Sequence, residues 1–330
     1  RMARESRAAV EADAARQAVI DADAGVAEKA EMLMEIAMGM QQKPKSREDL
    51  IEAVSLYQEA IEMCPPEEAL LEARIFSRMA TAQMMIPADD VTFLDAARSS
   101  MESALATLST QGKPAEVAEA EMNYGLILQN LAGANRARIQ DCIGAYQRAL
   151  RTFEAKQYPA EFAILQNNLA TAFLSIPFTD ERSKMREALA VQAFEEGLKV
   201  VTLVDHPSEY AMLQNNLGNA LQYASSSHRV ENGFRALEAY DEALRVRNIS
   251  DTPLEYANTI SNKANCLANL PDALDAPEKG NPENLADAIA LYKEALGLFQ
   301  QFGELQKADA VSAAILELEV DIEKAQNLLN

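Results

Sequence analysis

The chain has 330 residues, 48% of them hydrophobic, with 12 Gly, 12 Pro and no Trp, a balance that favours helices over a sandwich or barrel and supplies a packed core. It carries 51 acidic and 30 basic residues, a formal charge of −21, which repels phosphate, excludes DNA or RNA binding as the main role and favours cationic partners at long range. Cys64, Cys142 and Cys266 are far apart, with no CxxC pair. They predict a reducing compartment, the cytoplasm. No apolar run approaches the ~18 residues of a membrane span, and the first residues lack the apolar centre of a signal peptide.

In chain order, residues 1–28 are rich in Ala, Glu, Asp and Arg and read as a weakly amphipathic helix or a frayed arm. Residues 29–303 then alternate two motifs. The first is a Pro, a Glu two residues later and a run of helical apolar periodicity, a plausible helix start. It occurs as "PAEVAEAEMNYGLIL" from Pro114, "PAEFAILQNNLATAF" from Pro159, "PSEYAMLQNNLGNAL" from Pro207 and "PLEYANTISNKANCL" from Pro253, at spacings of 45, 48 and 46 residues. The two earlier copies, around "MLMEIAMGM" and "RIFSRMATAQMM", are weaker.

The second motif is a small residue, an aromatic four later, and a small and an aliphatic residue three and four after that. Its copies are Ala53-Tyr57-Ala60-Ile61, Cys142-Tyr146-Ala149-Leu150, Ala190-Phe194-Gly197-Leu198, Ala236-Tyr240-Ala243-Leu244 and Ala288-Tyr292-Ala295-Leu296. A sixth, Ala97-Met101-Ala104-Leu105, has Met for the ring. Spacings of four and three put these residues on one helical face. A period of about 45–50 residues predicts a stacked helical array. Residues 304–330 follow, with Val311, Ile315, Leu318 and Ile322 at helical spacing. They read as a capping helix over the last apolar face, or as a dimerising helix.

The pattern resembles tetratricopeptide repeats, whose second helix carries a small residue, an aromatic and a small residue at these spacings. Their first helix has Leu before Gly or Ala, as in Leu169-Ala170 and Leu217-Gly218, with Tyr124-Gly125 a variant. The repeat here is longer than usual, and Lys263 replaces the Leu in the last copy. The resemblance implies an all-α right-handed superhelical solenoid of about six helix pairs with a C-terminal capping helix.

The residue just before that Leu/Gly step is Asn123, Asn168, Asn216 and Asn262 in four successive copies. Asn is a poor helix former because its side chain competes for backbone hydrogen bonds, so its recurrence asks for a reason. In the family, first helices line the concave face, where asparagines at the equivalent place grip an extended peptide. By resemblance, Asn123, Asn168, Asn216 and Asn262 form such a ladder, each amide offering donor and acceptor to a peptide unit. Asn215, Asn219, Gln222, Tyr223, Asn265 and Asn269 are the candidates for neighbouring pockets. The alternative is that these amides hydrogen-bond between adjacent repeats and fix a unique stacking.

Basic residues gather in the loops within the pairs, among them Lys43, Lys45, Arg47, Arg136, Arg138, Lys184, Arg186 and Arg229. They read as solvated turns, or as a stripe for an acidic partner. Met32, Met34, Met38 and Met40 suit a packing or partner-binding face better than a copper site. There is no HExxH, no G-x-S-x-G and no phosphate-binding Gly loop, so neither catalysis nor a cofactor is expected. The sequence thus predicts an adaptor or scaffold whose groove holds a basic or polar extended segment of a protein partner. A subunit that self-associates through its terminal helices, and a sensor for a short signalling peptide or small ligand, are the alternatives.

Overall fold

The computed structural model describes residues 6–177 and 181–328; expectations that fall on residues 1–5, 178–180 and 329–330 lie outside the described residues. The described residues are helical, without strands, and the chain divides into two compact units, 1–154 and 155–330.

The first unit holds α1 (Arg7–Asp21) and three hairpins. These are α2 (Val26–Gln42) with α3 (Arg47–Met63), α4 (Ala69–Met85) with α5 (Thr92–Gln111), and α6 (Pro114–Gly133) with α7 (Ile139–Leu150). The second unit holds α8 (Pro159–Leu174) with α9 (Glu181–Leu198), α10 (Pro207–Tyr223) with α11 (Arg229–Leu244), and α12 (Pro253–Ala268) with α13 (Pro282–Gln301). The helix α14 (Leu305–Leu328) packs on α13. The all-α class and the alternation of two helix types are as the sequence predicts.

First helices begin where the sequence places them. Pro114, Pro159, Pro207 and Pro253 each open a helix, with Glu116, Glu161, Glu209 and Glu255 in the first turn. Proline has no N–H to leave unpaired there, and the carboxylate faces the positive end of the helix dipole. The two copies read as weak in sequence, α2 and α4, are complete helices of 17 residues each. Their apolar residues are Met and Ala more than Leu, so packing rather than a strong stripe sustains them.

The small residues of the first helices seat the rings of the second. A Cβ on Gly125 would lie 2.3 Å from the Tyr146 ring, and one on Gly218 would lie 2.6 Å from the Tyr240 ring. Ala37 shares a core cluster with Tyr57, Ala80 with Met101, Ala170 with Phe194 and Ala264 with Tyr292. Three of the four buried second-helix hydroxyls are matched by a first-helix Gln; at the fourth, Tyr292, the corresponding place is Ala268. Tyr57 donates to Gln41 Oε1 and Tyr146 to Gln129 Oε1, each at 2.7 Å, while Gln222 Nε2 donates to the Tyr240 hydroxyl at 2.8 Å. Each Gln stands four residues after the small residue. Where the second helix carries Phe194 or Met101 instead, that position is Leu174 or Met84.

The flanks are ordered helices. α1 buries Ala8, Ala12 and Val19 and docks on α2 and α3. Arg7 reaches Asp49 at 2.7 Å and Arg16 reaches Glu59 at 2.9 Å. α14 buries Ala308, Val311 and Ile315 against α13, with Leu318 packed beside them, and so covers the last hairpin.

Candidate functional site

In the second unit the asparagines form one connected seam. Asn262 Nδ2 of α12 and the Thr259 hydroxyl both donate to Asn215 Oδ1 of α10, at 3.2 and 3.0 Å. Asn215 Nδ2 donates to Asn216 Oδ1 at 3.1 Å, and Asn216 Nδ2 donates to Asn167 Oδ1 of α8 at 2.6 Å. Asn167 Nδ2 then donates to Asn168 Oδ1 at 3.3 Å. The seam crosses three first helices, with every donor pointing the same way. Asn168 and Asn215 are only 8% and 7% exposed. The last donor, Asn168 Nδ2, is buried and has no partner among the described residues.

The other end of the seam begins at Arg247, whose Nη1 donates to the Thr259 hydroxyl at 2.9 Å. Burial pulls this guanidinium below its ordinary value, since desolvation disfavours the charged form. Neither Arg247 nor Thr259 was among the sequence-predicted residues, nor was Asn167, yet the signal is there. Arg247 stands where the preceding repeats have buried Phe153 and Val201, and Thr259 stands where they have Leu165 and Leu213. An apolar pair has become a polar one at a buried joint.

The pocket candidates of the second unit are also internally bonded. Asn219 Oδ1 accepts from the Tyr240 hydroxyl at 2.7 Å. Gln222 donates to that hydroxyl and to the Asn262 carbonyl, and accepts from Asn265 Nδ2. Asn265 also donates to the Tyr223 hydroxyl at 2.8 Å, and Asn269 Nδ2 donates to the Asn265 carbonyl at 2.8 Å. Tyr223 is 66% exposed and Asn269 is exposed, so this end of α10 and α12 presents polar groups to solvent.

The first unit uses the same register differently. Asn123 has no side-chain hydrogen bond among the described residues, and it lines a cavity of about 210 Å³. Met34 and Met38 of α2 and Leu108 of α5 form the apolar side, while Glu35, Arg78 and Asn123 lie on the polar side. Counting two residues back from the small residue of each first helix gives Glu35 from Ala37, Arg78 from Ala80 and Asn123 from Gly125. The three are therefore equivalent to Asn168, Asn216 and Asn262. Residue identity singles out only Asn123 of the three; Glu35 and Arg78 are marked by the register of the small residues.

Two of the basic loops are stapled to their neighbours. Arg47 Nε donates to the Pro87 carbonyl at 2.8 Å with its guanidinium over the Phe93 ring, and Arg136 pairs with Asp95 at 2.7 Å. Met32, Met34, Met38 and Met40 pack against the core of the first hairpin. All three cysteines are buried, and burial pushes the Cys142 and Cys266 thiols up to about 12. Among the described residues no three His, Cys, Asp or Glu are grouped to hold a metal, and no helix is long and apolar enough to cross a membrane.

No protein-family model matches the chain, and no curated protein matches it. Solved structures do. A signal transduction ATPase with numerous domains that carries a tetratricopeptide repeat sensor, from Pyrococcus horikoshii, superposes with a TM-score of 0.51 at 11% identity over 96% of this chain. The match spans 46% of that protein's length. BtubC (BKLC) from P. vanneervenii gives 0.49 at 21% identity, over 73% of this chain and 88% of that one. A Rap protein complexed with competence and sporulation factor gives 0.44 at 13%, over 98% and 90%. With the repeated hairpins and ring-seating small residues, the likeness to the Pyrococcus protein makes the fold a helical repeat array of tetratricopeptide type.

Proposed function

We propose that this protein is a non-catalytic interaction scaffold whose first-helix faces hold an extended segment of a protein partner. The observation that carries the reading is Asn123: a helical asparagine at a recurring register, without a side-chain hydrogen-bond partner among the described residues, on the wall of a cavity. An amide can accept from a peptide N–H and donate to a peptide carbonyl, and the equivalents Asn216 and Asn262 each keep one N–H beyond the seam bonds, whereas the Asn168 nitrogen is buried and is not offered to a peptide in this conformation. In this reading Asn215, Asn219 and Gln222 orient the ladder, and Tyr223, Asn265 and Asn269 meet the partner's side chains. The net charge of −21 favours a basic or polar segment.

The test is selection from a displayed random peptide library on immobilised full chain, repeated with Asn123→Ala and with Asn168→Ala/Asn216→Ala/Asn262→Ala. Melting curves are taken in parallel. Peptides retained by the wild type and lost by variants of unchanged melting point support the ladder. Equal retention by variants and wild type sinks it.

Self-association is a second reading with its own observation. On α14, Leu305, Leu316 and Val320 are 68%, 65% and 50% exposed, and their spacing puts them on one face. Light scattering of Leu316→Glu/Val320→Glu against the wild type decides it: a mass unchanged by the substitutions removes this reading.

A further inference from the structure

The cavity of the first unit differs from the seam of the second in what its polar groups lack. Of its charged lining, Arg74 and Glu116 neutralise one another at 2.6 Å across α4 and α6. Glu35, Glu119 and Arg78 remain, and among the described residues none of the three has an ion-pair partner within salt-bridge distance. Two unpaired carboxylates, one unpaired guanidinium and the unbonded amide of Asn123 therefore surround a space of about 210 Å³. Met34, Met38 and Leu108 give that space an apolar wall, and methionine walls adapt to the stems they receive.

We infer that this cavity is the side-chain pocket for a lysine or arginine of the extended segment, an assignment that rests on the scaffold reading above. Such a residue uses each free group once. Its aliphatic stem lies on the methionines and Leu108, as basic side chains lie along apolar surface while keeping the charged head in polar surroundings. Its cationic head meets Glu35 and Glu119 in a charge-assisted contact. Its main-chain carbonyl accepts from the Arg78 guanidinium, which is always a donor, while its N–H or carbonyl meets Asn123. An acidic side chain would leave two carboxylates facing a third, and an apolar one would leave them desolvated without compensation.

The experiment uses full-length protein and pools of N-acetylated, C-amidated hexapeptides in which one position is fixed as Lys, Arg, Ala or Glu, read by fluorescence anisotropy at constant ionic strength. The Lys and Arg pools bind the wild type more tightly than the Ala and Glu pools. Glu35→Gln/Glu119→Gln weakens the Lys and Arg pools about tenfold, the scale of a lost contact of ~1.4 kcal/mol. Glu317→Gln/Glu323→Gln, which removes the same charge from α14, leaves them unchanged, and Glu35→Lys/Glu119→Lys moves the preference to the Glu pools. Equal loss in the α14 variant would mean that overall charge, not the pocket, attracts the peptides, and the inference fails. Pools bound without regard to the fixed residue overturn the pocket but leave the scaffold reading standing. No pool bound at all overturns both.

Discussion

The two units place the same register of the first helices to different ends. In the second, Asn168, Asn216 and Asn262 belong to a seam that begins at Arg247 and runs through three helices. In the first, the equivalent places hold Glu35, Arg78 and Asn123, which line a cavity. In the second unit a register amide donates to the residue just before the register on the preceding first helix, Asn262 to Asn215 and Asn216 to Asn167; in the first unit the places before the register are Met34, Ser77 and Met122. Amides can pair with one another because each is both donor and acceptor. A carboxylate, a guanidinium and an amide on successive helices do not close such a chain here.

Four measurements would break or sharpen this contrast. The largest effect is expected where the units agree. Tyr146→Ala and Tyr240→Ala each empty a fully buried ring site and should cost about 3–5 kcal/mol in urea melts. A cost confined to one of them would mean that the hairpins are not built alike. The contrast itself is tested next. Asn215→Ala strands the Thr259 hydroxyl and two amides and should cost about 1–3 kcal/mol, whereas Asn123→Ala should stay within about 0.5 kcal/mol. Equal costs would dissolve the distinction between seam and wall.

A smaller effect, about 1 kcal/mol, is expected for Tyr240→Phe, which deprives Gln222 and Asn219 of their shared hydroxyl. The smallest concerns α1. Burial alone would raise the Asp49 carboxyl, but the Arg7 hydrogen bond, the N–H groups of Lys45 and Ser46 and the Arg7 charge outweigh it and hold it below its ordinary value. A depressed carboxylate contributes fully above its unfolded value of about 3.9 and loses that contribution as pH falls through the folded one. The stability gap between wild type and Asp49→Asn should therefore be constant near neutrality and close on acidification below about pH 4. A gap that persists in acid would show that the α1 contact owes nothing to this charge.

The fold was legible because its signals are local. Small residues at fixed spacing mark every hairpin, proline starts mark the last four and rings mark all but the Met101 hairpin, and each marks the same packing event in the structure. The pairing of Gln41 with Tyr57 and of Gln129 with Tyr146 is only partly written in the sequence, since the amide is absent where the ring position holds Phe194 or Met101 but also opposite Tyr292, where Ala268 stands. The candidate site was only half legible. Asn recurrence marks a register but does not say which amides spend their bonds on one another, because that depends on distances between helices some 45 residues apart. Glu35 and Arg78 share the register without sharing its residue type, so only their spacing from Ala37 and Ala80 marks them.

The match between a second-helix hydroxyl and a first-helix glutamine also bears on how near-identical neighbours avoid exchanging partners. A hairpin assembled from α8 and α11 would set Leu174 where the Tyr240 hydroxyl needs Gln222, and one assembled from α10 and α9 would set Gln222 against Phe194. Each wrong coupling leaves a polar group unanswered, and the cost of leaving one unanswered when buried exceeds the worth of the bond itself. Repeat chains are prone to such swaps during folding. Here the tyrosine and glutamine act as an address, written across two helices, that keeps α10 and α11 from trading partners with their neighbours α8 and α9.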